Sequence, residues 1–155
     1  MTKKNKYFVA ATLILLVIAG VIFWCLEVGY LRFNYPSRQR FPIHGIDISH
    51  HQGNIDWDIL KQQNIQFIYM KATEGQDWVD PKFKLFWESA NQKQMKVGAY
   101  HFYRFCKTGI SQANHFIATV PKNEGSLPHV IDLEFMGNCK TVKSKSKEKI
   151  LSEIK

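Results

Sequence analysis

The chain has 155 residues, with 21 Lys and Arg against 13 Asp and Glu, and its formal net charge is +8 at pH 7. This length leaves room for one domain with a modest core. The three cysteines form no metal-binding pattern. The excess of basic over acidic residues indicates attraction to an anionic polymer or a phospholipid surface.

The N-terminal segment is apolar, since residues 7–26 include no charged side chain. A helix of this length matches a hydrocarbon core of about 30 Å. We expect residues 7–26 to be an uncleaved transmembrane signal anchor, because bulky Phe23, Trp24 and Leu26 stand where a signal peptide would have small residues. A cleaved signal peptide is the alternative.

The charges around this segment predict its orientation. Lys3, Lys4 and Lys6 lie before it, so residues 1–6 are expected in the cytoplasm. The protein would then cross the inner or plasma membrane once, with its globular part facing the cell wall or periplasm. Nucleic acid is not an expected partner there. Residues 27–42 are predicted to be an aromatic and basic linker.

Strand and helix signals alternate through the globular part, residues 43–155. Strands are predicted at 45–49, 67–71, 97–102 and 129–134, and helices at 55–60, 81–94, 111–120 and from about 144. This alternation predicts an α/β fold with parallel strands and covering helices. In a β/α barrel the chemistry collects at the C-terminal ends of the strands, and polar residues lie at all four predicted strand ends.

Asp132 and Glu134 end the fourth predicted strand. Residues two apart in a strand share a face and are separated by about 6.6 Å of rise. Two neighbouring carboxyl groups, one protonated and one ionised, are what glycoside hydrolysis requires. The alternative is a strand end whose acids cap the next helix or pair with Lys140 and Lys143.

Five motifs occur in a recognisable order along the chain. They are GIDISHHQG, DW, YMKATEG, GAYHF and DLE, which begin at Gly45, Asp56, Tyr69, Gly98 and Asp132. Together they resemble glycoside hydrolase family 25, the N-acetylmuramidases or Chalaropsis-type lysozymes. The resemblance extends from Gly45 to the last residue.

The resemblance implies hydrolysis of the β-1,4 bond between N-acetylmuramic acid and N-acetylglucosamine in peptidoglycan glycan strands, on a β/α barrel of the TIM type. By motif, Glu134 matches the general acid. Asp132 matches the carboxylate that orients the substrate's acetamido group, whose carbonyl oxygen is then the nucleophile. Asp47 matches an acid on the first strand that lines the same site. No metal or organic cofactor is implied.

A complete β/α barrel has eight strands and roughly 200 residues or more. The resemblance therefore implies that this chain contains the N-terminal half of the family's domain, truncated after about four βα units. A second polypeptide could supply the missing half. The activity of the chain by itself is left open at this point.

Several other residues at strand ends are expected to bind substrate: Tyr69, Lys71, Glu74, His101 and Tyr103. For Lys71 and Glu74 the favoured alternative is that the pair braces a neighbouring loop. For the aromatic residues the alternative is a place in the core. A metal site made by His50, His51 and His101 is not expected, because adjacent histidines on a strand point to opposite faces.

Cys106 and Cys139 follow the third and fourth predicted strands. These strands are expected to be neighbours, so both cysteines would lie in loops at the same edge of the sheet. In an oxidising compartment they could form a disulfide. Two free thiols are the alternative.

Two further functions remain open at this stage. One is a non-catalytic peptidoglycan-binding protein that retains enough of the cleft to hold glycan. The other is a metal-dependent hydrolase on a similar barrel.

Overall fold

The computed structural model describes residues 3–27, 36–122, 124–135, 139 and 146–154. The chain divides by its contacts into two units, Met1–Pro42 and Ile43–Lys155. Half of the expected linker, residues 28–35, lies outside the described residues. Lys140 and Lys143, the alternative partners of the acids, also lie outside them.

The first unit contains helix α1, Lys3–Glu27. An 18-residue window of α1 has a mean hydropathy of 2.8, so this 25-residue helix is long and apolar enough to cross a membrane or to be a signal sequence. None of its side chains is buried within the described structure. An apolar N-terminal helix is therefore present, as predicted.

The described part of the second unit forms one sheet. Its strands are β1 (Gly45–Ile48), β2 (Phe67–Glu74), β3 (Trp78–Val79), β4 (Lys96–Phe102) and β5 (Val130–Asp132). The order is β1-β2-β4-β5 with parallel neighbours, and β3 pairs antiparallel with β2. The predicted α/β fold with a parallel sheet is confirmed. Within the described residues the sheet is open.

Four helices accompany the sheet: α2 (Trp57–Gln62), α3 (Phe83–Gln92), α4 (Gly109–Thr119) and α5 (Lys147–Ile154). The side chain of Asp56 accepts hydrogen bonds from the N–H groups of Asp58 and Ile59, so Asp56 caps α2 as predicted. The Thr108 side chain accepts from the Ser111 N–H and caps α4.

The core lies between the sheet and α3. Alternation along the strands directs Ile68, Met70 and Ala72 of β2 and Val97 and Ala99 of β4 toward it. Helix α3 contributes four side chains to this core: Phe83, Phe86, Trp87 and Ala90. Because successive residues alternate, the intervening side chains lie on the opposite face of the sheet, which is where the cleft described below forms.

The structure differs from the expectations at three places. His50 and His51 lie in a 3₁₀ turn, His50–Gln52, rather than on a strand. Their ring centroids are 3.9 Å apart, so the two side chains are neighbours and do not point to opposite faces. Strand β3 was not predicted. Strand β5 ends at Asp132, so Glu134 lies two residues beyond the strand.

Candidate active site

The cleft lies at the C-terminal end of the parallel strands. It has a volume of about 390 Å³ and is lined by Asp47, Tyr69, Tyr100 and residues 130–134. Strand register explains the grouping: Asp47 pairs with Tyr69, Tyr100 pairs with Val130, and Phe102 pairs with Asp132. The structure therefore brings together Asp47, Asp132 and Glu134, which are three residues from two strand ends that are far apart in sequence.

The carboxyl groups in this cleft differ in exposure. Asp132 is partly buried, whereas Asp47 and Glu134 are exposed. Burial raises the pKa of Asp132, and the neighbouring Glu134 and Asp47 raise it further, while Lys71 opposes them. Asp132 therefore retains its proton to a higher pH than an isolated aspartate does.

Tyr100 is a cleft residue that lies within the GAYHF motif but was not among the expected substrate-binding residues. Burial raises the pKa of its hydroxyl, and Asp47 and Asp132 raise it further. The phenol therefore remains a neutral hydrogen-bond donor beside two carboxylates. Tyr100 lies on the same face of β4 as Phe102, the residue that pairs with Asp132. Recognising Tyr100 as a cleft residue therefore required knowledge of the strand register.

Tyr69 lines the cleft, and both its hydroxyl and its ring contact neighbouring residues. Its hydroxyl donates a 2.9 Å hydrogen bond to the carbonyl oxygen of Pro128. Its ring covers Gly98, where a Cβ would lie only 2.4 Å from the ring. The ring also packs edge-on against Phe67. Tyr69 thus supports the wall of the cleft and joins β2 to the segment before β5.

Lys71 and Glu74 form an ion pair in which Lys71 Nζ donates to Glu74 Oε2 at 2.5 Å. Arg104 donates to the other Glu74 oxygen. Burial alone would raise the pKa of Glu74, but the two cations outweigh it, and the pKa lies below its ordinary value. The Lys71 ammonium lies 4.7 Å from the Phe102 ring centroid and 5.0 Å from that of Trp78. This geometry is that of a brace between β2 and the loop after β4.

His101 is not brought to the carboxylates. Its ring is buried on the α4 side of the sheet, where Nδ1 lies 2.7 Å from Thr73 Oγ1 and Nε2 lies 3.1 Å from Gln112 Oε1. Because a carbonyl oxygen only accepts, Nε2 donates to Gln112 and Nδ1 accepts from Thr73. Burial lowers the pKa of His101. Its surroundings are those of a neutral core histidine.

Tyr103 is also directed away from the cleft. It is buried, and its hydroxyl donates a 2.7 Å hydrogen bond to Glu153 of α5. Burial and this carboxylate raise the pKa of Tyr103. Tyr103 and His101 line a second, largely apolar cavity of about 250 Å³ between α4, β5 and α5. This cavity lacks the paired acids of the cleft.

Asp80 is a buried acid that the sequence analysis did not single out. Its Oδ2 accepts from the His50 backbone N–H at 3.0 Å and lies 2.7 Å from His50 Nδ1. Its Oδ1 accepts from the Lys82 N–H. Asp80 therefore connects the turn after β1 to the start of α3. Within the described residues no group of three His, Cys, Asp or Glu side chains is placed to hold a metal ion.

Cys106 and Cys139 are joined by a disulfide with a Cα–Cα distance of 6.0 Å. The bond connects the loop after β4 to the segment that follows Glu134. Cys25 in α1 is a free thiol.

Comparison with known proteins decides the family. The model for glycosyl hydrolases family 25 matches residues 46–155. The chain belongs to this family. The resemblance inferred from the five motifs is thereby confirmed.

Relatives of this family 25 chain include lysozymes. Lysozyme M1 of Streptomyces globisporus is 36% identical over 96 residues, covering 59% of this chain and 33% of the relative. Uncharacterized protein YegX of Escherichia coli is 37% identical over 102 residues, covering 63% and 38%. A family 25 glycosyl hydrolase from Bacillus anthracis superposes with a TM-score of 0.67 at 46% identity, covering 72% of this chain and 51% of that structure. The chain thus spans between a third and about half of these proteins.

Proposed function

We propose that this family 25 chain acts as an N-acetylmuramidase, hydrolysing the β-1,4 bond between N-acetylmuramic acid and N-acetylglucosamine in peptidoglycan. The observation that supports it best is the common cleft of Asp47, Asp132 and Glu134. Relatives named as lysozymes point the same way. Glycan enters an open cleft at the strand ends, where two carboxyl groups can flank a sugar linkage.

In the proposed mechanism Glu134 donates a proton to the leaving glycosidic oxygen. Asp132 accepts a hydrogen bond from the N–H of the substrate's acetamido group and so turns the acetamide carbonyl oxygen toward the anomeric carbon as nucleophile. A raised pKa makes the Asp132 carboxylate a stronger acceptor. Water then opens the cyclic intermediate, with Glu134 taking up the proton. Asp47 and the neutral hydroxyl of Tyr100 complete the polar wall.

The test is incubation of the full chain with purified peptidoglycan, with release of new reducing ends as the readout. Release without added metal and unaffected by a chelator supports the muramidase. Chelator-sensitive release would indicate a metal-dependent hydrolase instead. Co-sedimentation with glycan without any release would indicate a non-catalytic binding protein.

We further propose that the four parallel strands are part of a TIM-type β/α barrel. The support is the parallel order of the sheet and the exposure of apolar side chains along β5, where Ile131 is 45% exposed. A further polypeptide that supplies a parallel strand would cover this edge. A co-expressed C-terminal half of the Bacillus anthracis protein should then co-purify with this chain. Ile131→Lys should abolish the association, while Lys84→Glu, at an exposed position of α3, should not.

For localisation we propose that α1 is a single-pass signal anchor with the N-terminus in the cytoplasm and the globular unit facing the wall. Lys3, Lys4 and Lys6 before the apolar run support this orientation. Protease added to intact spheroplasts should digest the globular unit and leave the N-terminus protected. N-terminal sequencing of the mature protein distinguishes an anchor from a cleaved signal peptide.

A further inference from the structure

The strand that precedes the proposed acid is weakly held by the sheet itself. Strand β5 has three residues, and its described ladder consists of three pairs with β4 alone. Val130 and Ile131 are 41% and 45% exposed, and Phe135 is 80% exposed. Because Glu134 lies beyond the last ladder pair, sheet pairing does not fix its position.

The loop between β4 and α4, residues 103–108, is in contrast firmly built. The Gln112 side chain, 1% exposed, accepts from the Arg104 N–H and donates to the carbonyl oxygens of Arg104 and Thr108. Arg104 also reaches Glu74 at the end of β2. The β4–α4 loop is therefore anchored to both β2 and α4.

Three contacts connect the β4–α4 loop to the chain on both sides of Glu134. The Tyr103 N–H donates to the Asp132 carbonyl oxygen at 3.0 Å. The Phe105 ring stacks on Phe135, with centroids 5.1 Å apart and planes inclined by 21°. The third contact is the disulfide between Cys106 and Cys139. One contact precedes Glu134, one is adjacent to it, and one follows it.

We propose that the Cys106–Cys139 disulfide and the Phe105–Phe135 stack form a clamp that positions Glu134 relative to Asp132, so that reduction of the disulfide reversibly disables the cleft. Its kinetic consequence rests on the proposed muramidase activity. Reduction is balanced by a dithiol such as dithiothreitol, whose two thiols become a cyclic disulfide as Cys106 and Cys139 each gain an electron and a proton. These four side chains are positioning residues, since none of them lines the cleft.

The test compares the oxidised full chain in detergent with the same chain under dithiothreitol and with Cys106→Ser/Cys139→Ser. Cys25→Ser is the matched control, since its thiol is free. Loss of the clamp should lower kcat by about 10- to 100-fold, because misplacement by ~1 Å can cost that much, with KM nearly unchanged. Removing the dithiol from the unaltered chain should restore kcat.

The exposed half of the stack gives a second variant that does not disturb the core. Phe135→Ala should lower kcat in the same way, whereas Phe135→Tyr, which preserves the stacked ring, should retain it. An unchanged kcat in the Cys106→Ser/Cys139→Ser variant, or a rise in KM alone, would overturn the proposal.

A readout that does not depend on activity separates this proposal from the proposed function. In the clamped chain, Glu134 lies close enough to raise the pKa of Asp132. A ¹³C-carboxyl NMR titration should therefore show a lower Asp132 pKa after reduction. If the oxidised chain releases no reducing ends, the muramidase proposal fails while this titration still decides the clamp. An identical Asp132 titration with and without the disulfide would refute it.

Discussion

The backbone N–H of Tyr103 donates a 3.0 Å hydrogen bond to the carbonyl oxygen of Asp132. This bond extends the β4–β5 pairing one step beyond Phe102 and Asp132. The Asp132 carboxyl lines the cleft, while the Tyr103 side chain lies against Glu153. The two residues are thus joined by their backbones at the sheet edge, but only Asp132 is available to a substrate.

Glu134→Gln is expected to remove nearly all hydrolysis of peptidoglycan. An amide cannot donate the proton that the leaving oxygen needs, and general acid catalysis contributes about 10²- to 10⁴-fold to a rate. Glycan binding should persist, because Gln is similar in shape. Reducing-end assays and co-sedimentation check both expectations. Glu124→Gln, at an exposed position outside the cleft, should behave like the unaltered chain, and normal turnover of Glu134→Gln would show that another group is the acid.

Asp132→Asn should also lower hydrolysis strongly, while its effect on stability depends on pH. The pKa of Asp132 is raised in the folded chain above its ordinary value of 3.8. The folded chain therefore retains this proton to a higher pH than the unfolded chain does. The stability that the carboxyl group contributes is full below pH 3.8 and is lost as the pH rises through the folded pKa.

Denaturant unfolding at pH 3 and pH 7 measures the stability effect of Asp132→Asn. The variant should gain stability relative to the unaltered chain at pH 7 but not at pH 3, by less than about 1 kcal/mol because the carboxyl is partly solvated. Asp77→Asn, at an exposed position, serves as the control. A gain of equal size at both pH values would contradict the assigned cause.

Gly98→Ala should destabilise the sheet by about 1–3 kcal/mol through overpacking. The added Cβ would lie 2.4 Å from the Tyr69 ring, whose hydroxyl is held by Pro128. In the background of Tyr69→Ala the same substitution should cost much less, because the clashing ring is absent. Urea unfolding of the four chains of this double-mutant cycle provides the measurement, and strictly additive costs would show that Tyr69 is not the obstacle.

His101 should make the folded unit less stable in acid. Burial lowers the folded pKa of His101 below its ordinary value of 6.5. The unfolded chain therefore binds this proton first, so the stability contribution is present above pH 6.5 and is lost as the pH falls toward the folded pKa.

The slope of stability against pH checks this prediction. One such histidine contributes at most about 1.4 kcal/mol per pH unit. His101→Gln should reduce the slope below pH 6.5, and His101→Gln/His129→Gln should reduce it further, because burial also lowers the pKa of His129. His51→Gln, at an exposed position, is the comparison. A slope unaffected by removal of His101 would mean that other groups cause the acid sensitivity.

Much of this protein was readable in its sequence. The alternation of strand and helix patterns predicted the parallel α/β sheet. Apolar residues that recur at every second position fit a strand, whereas apolar residues spaced by about 3.6 positions fit a helix. The length and apolar composition of residues 7–26 alone predicted the N-terminal helix. The five motifs, including the Asp132 to Glu134 tripeptide, predicted the family, because their residue types and their order along the chain are specific to it.

Only the tertiary structure decided which strand-end residues share the cleft. His101 and Asp132 lie on adjacent strands, yet His101 pairs with Ile131 while Asp132 pairs with Phe102. A one-residue difference in register reverses the face of a side chain, so His101 joins the buried Thr73 and Gln112, and Asp132 joins Asp47 and Tyr100. Register results from long-range pairing and packing, which local spacing along a chain does not specify.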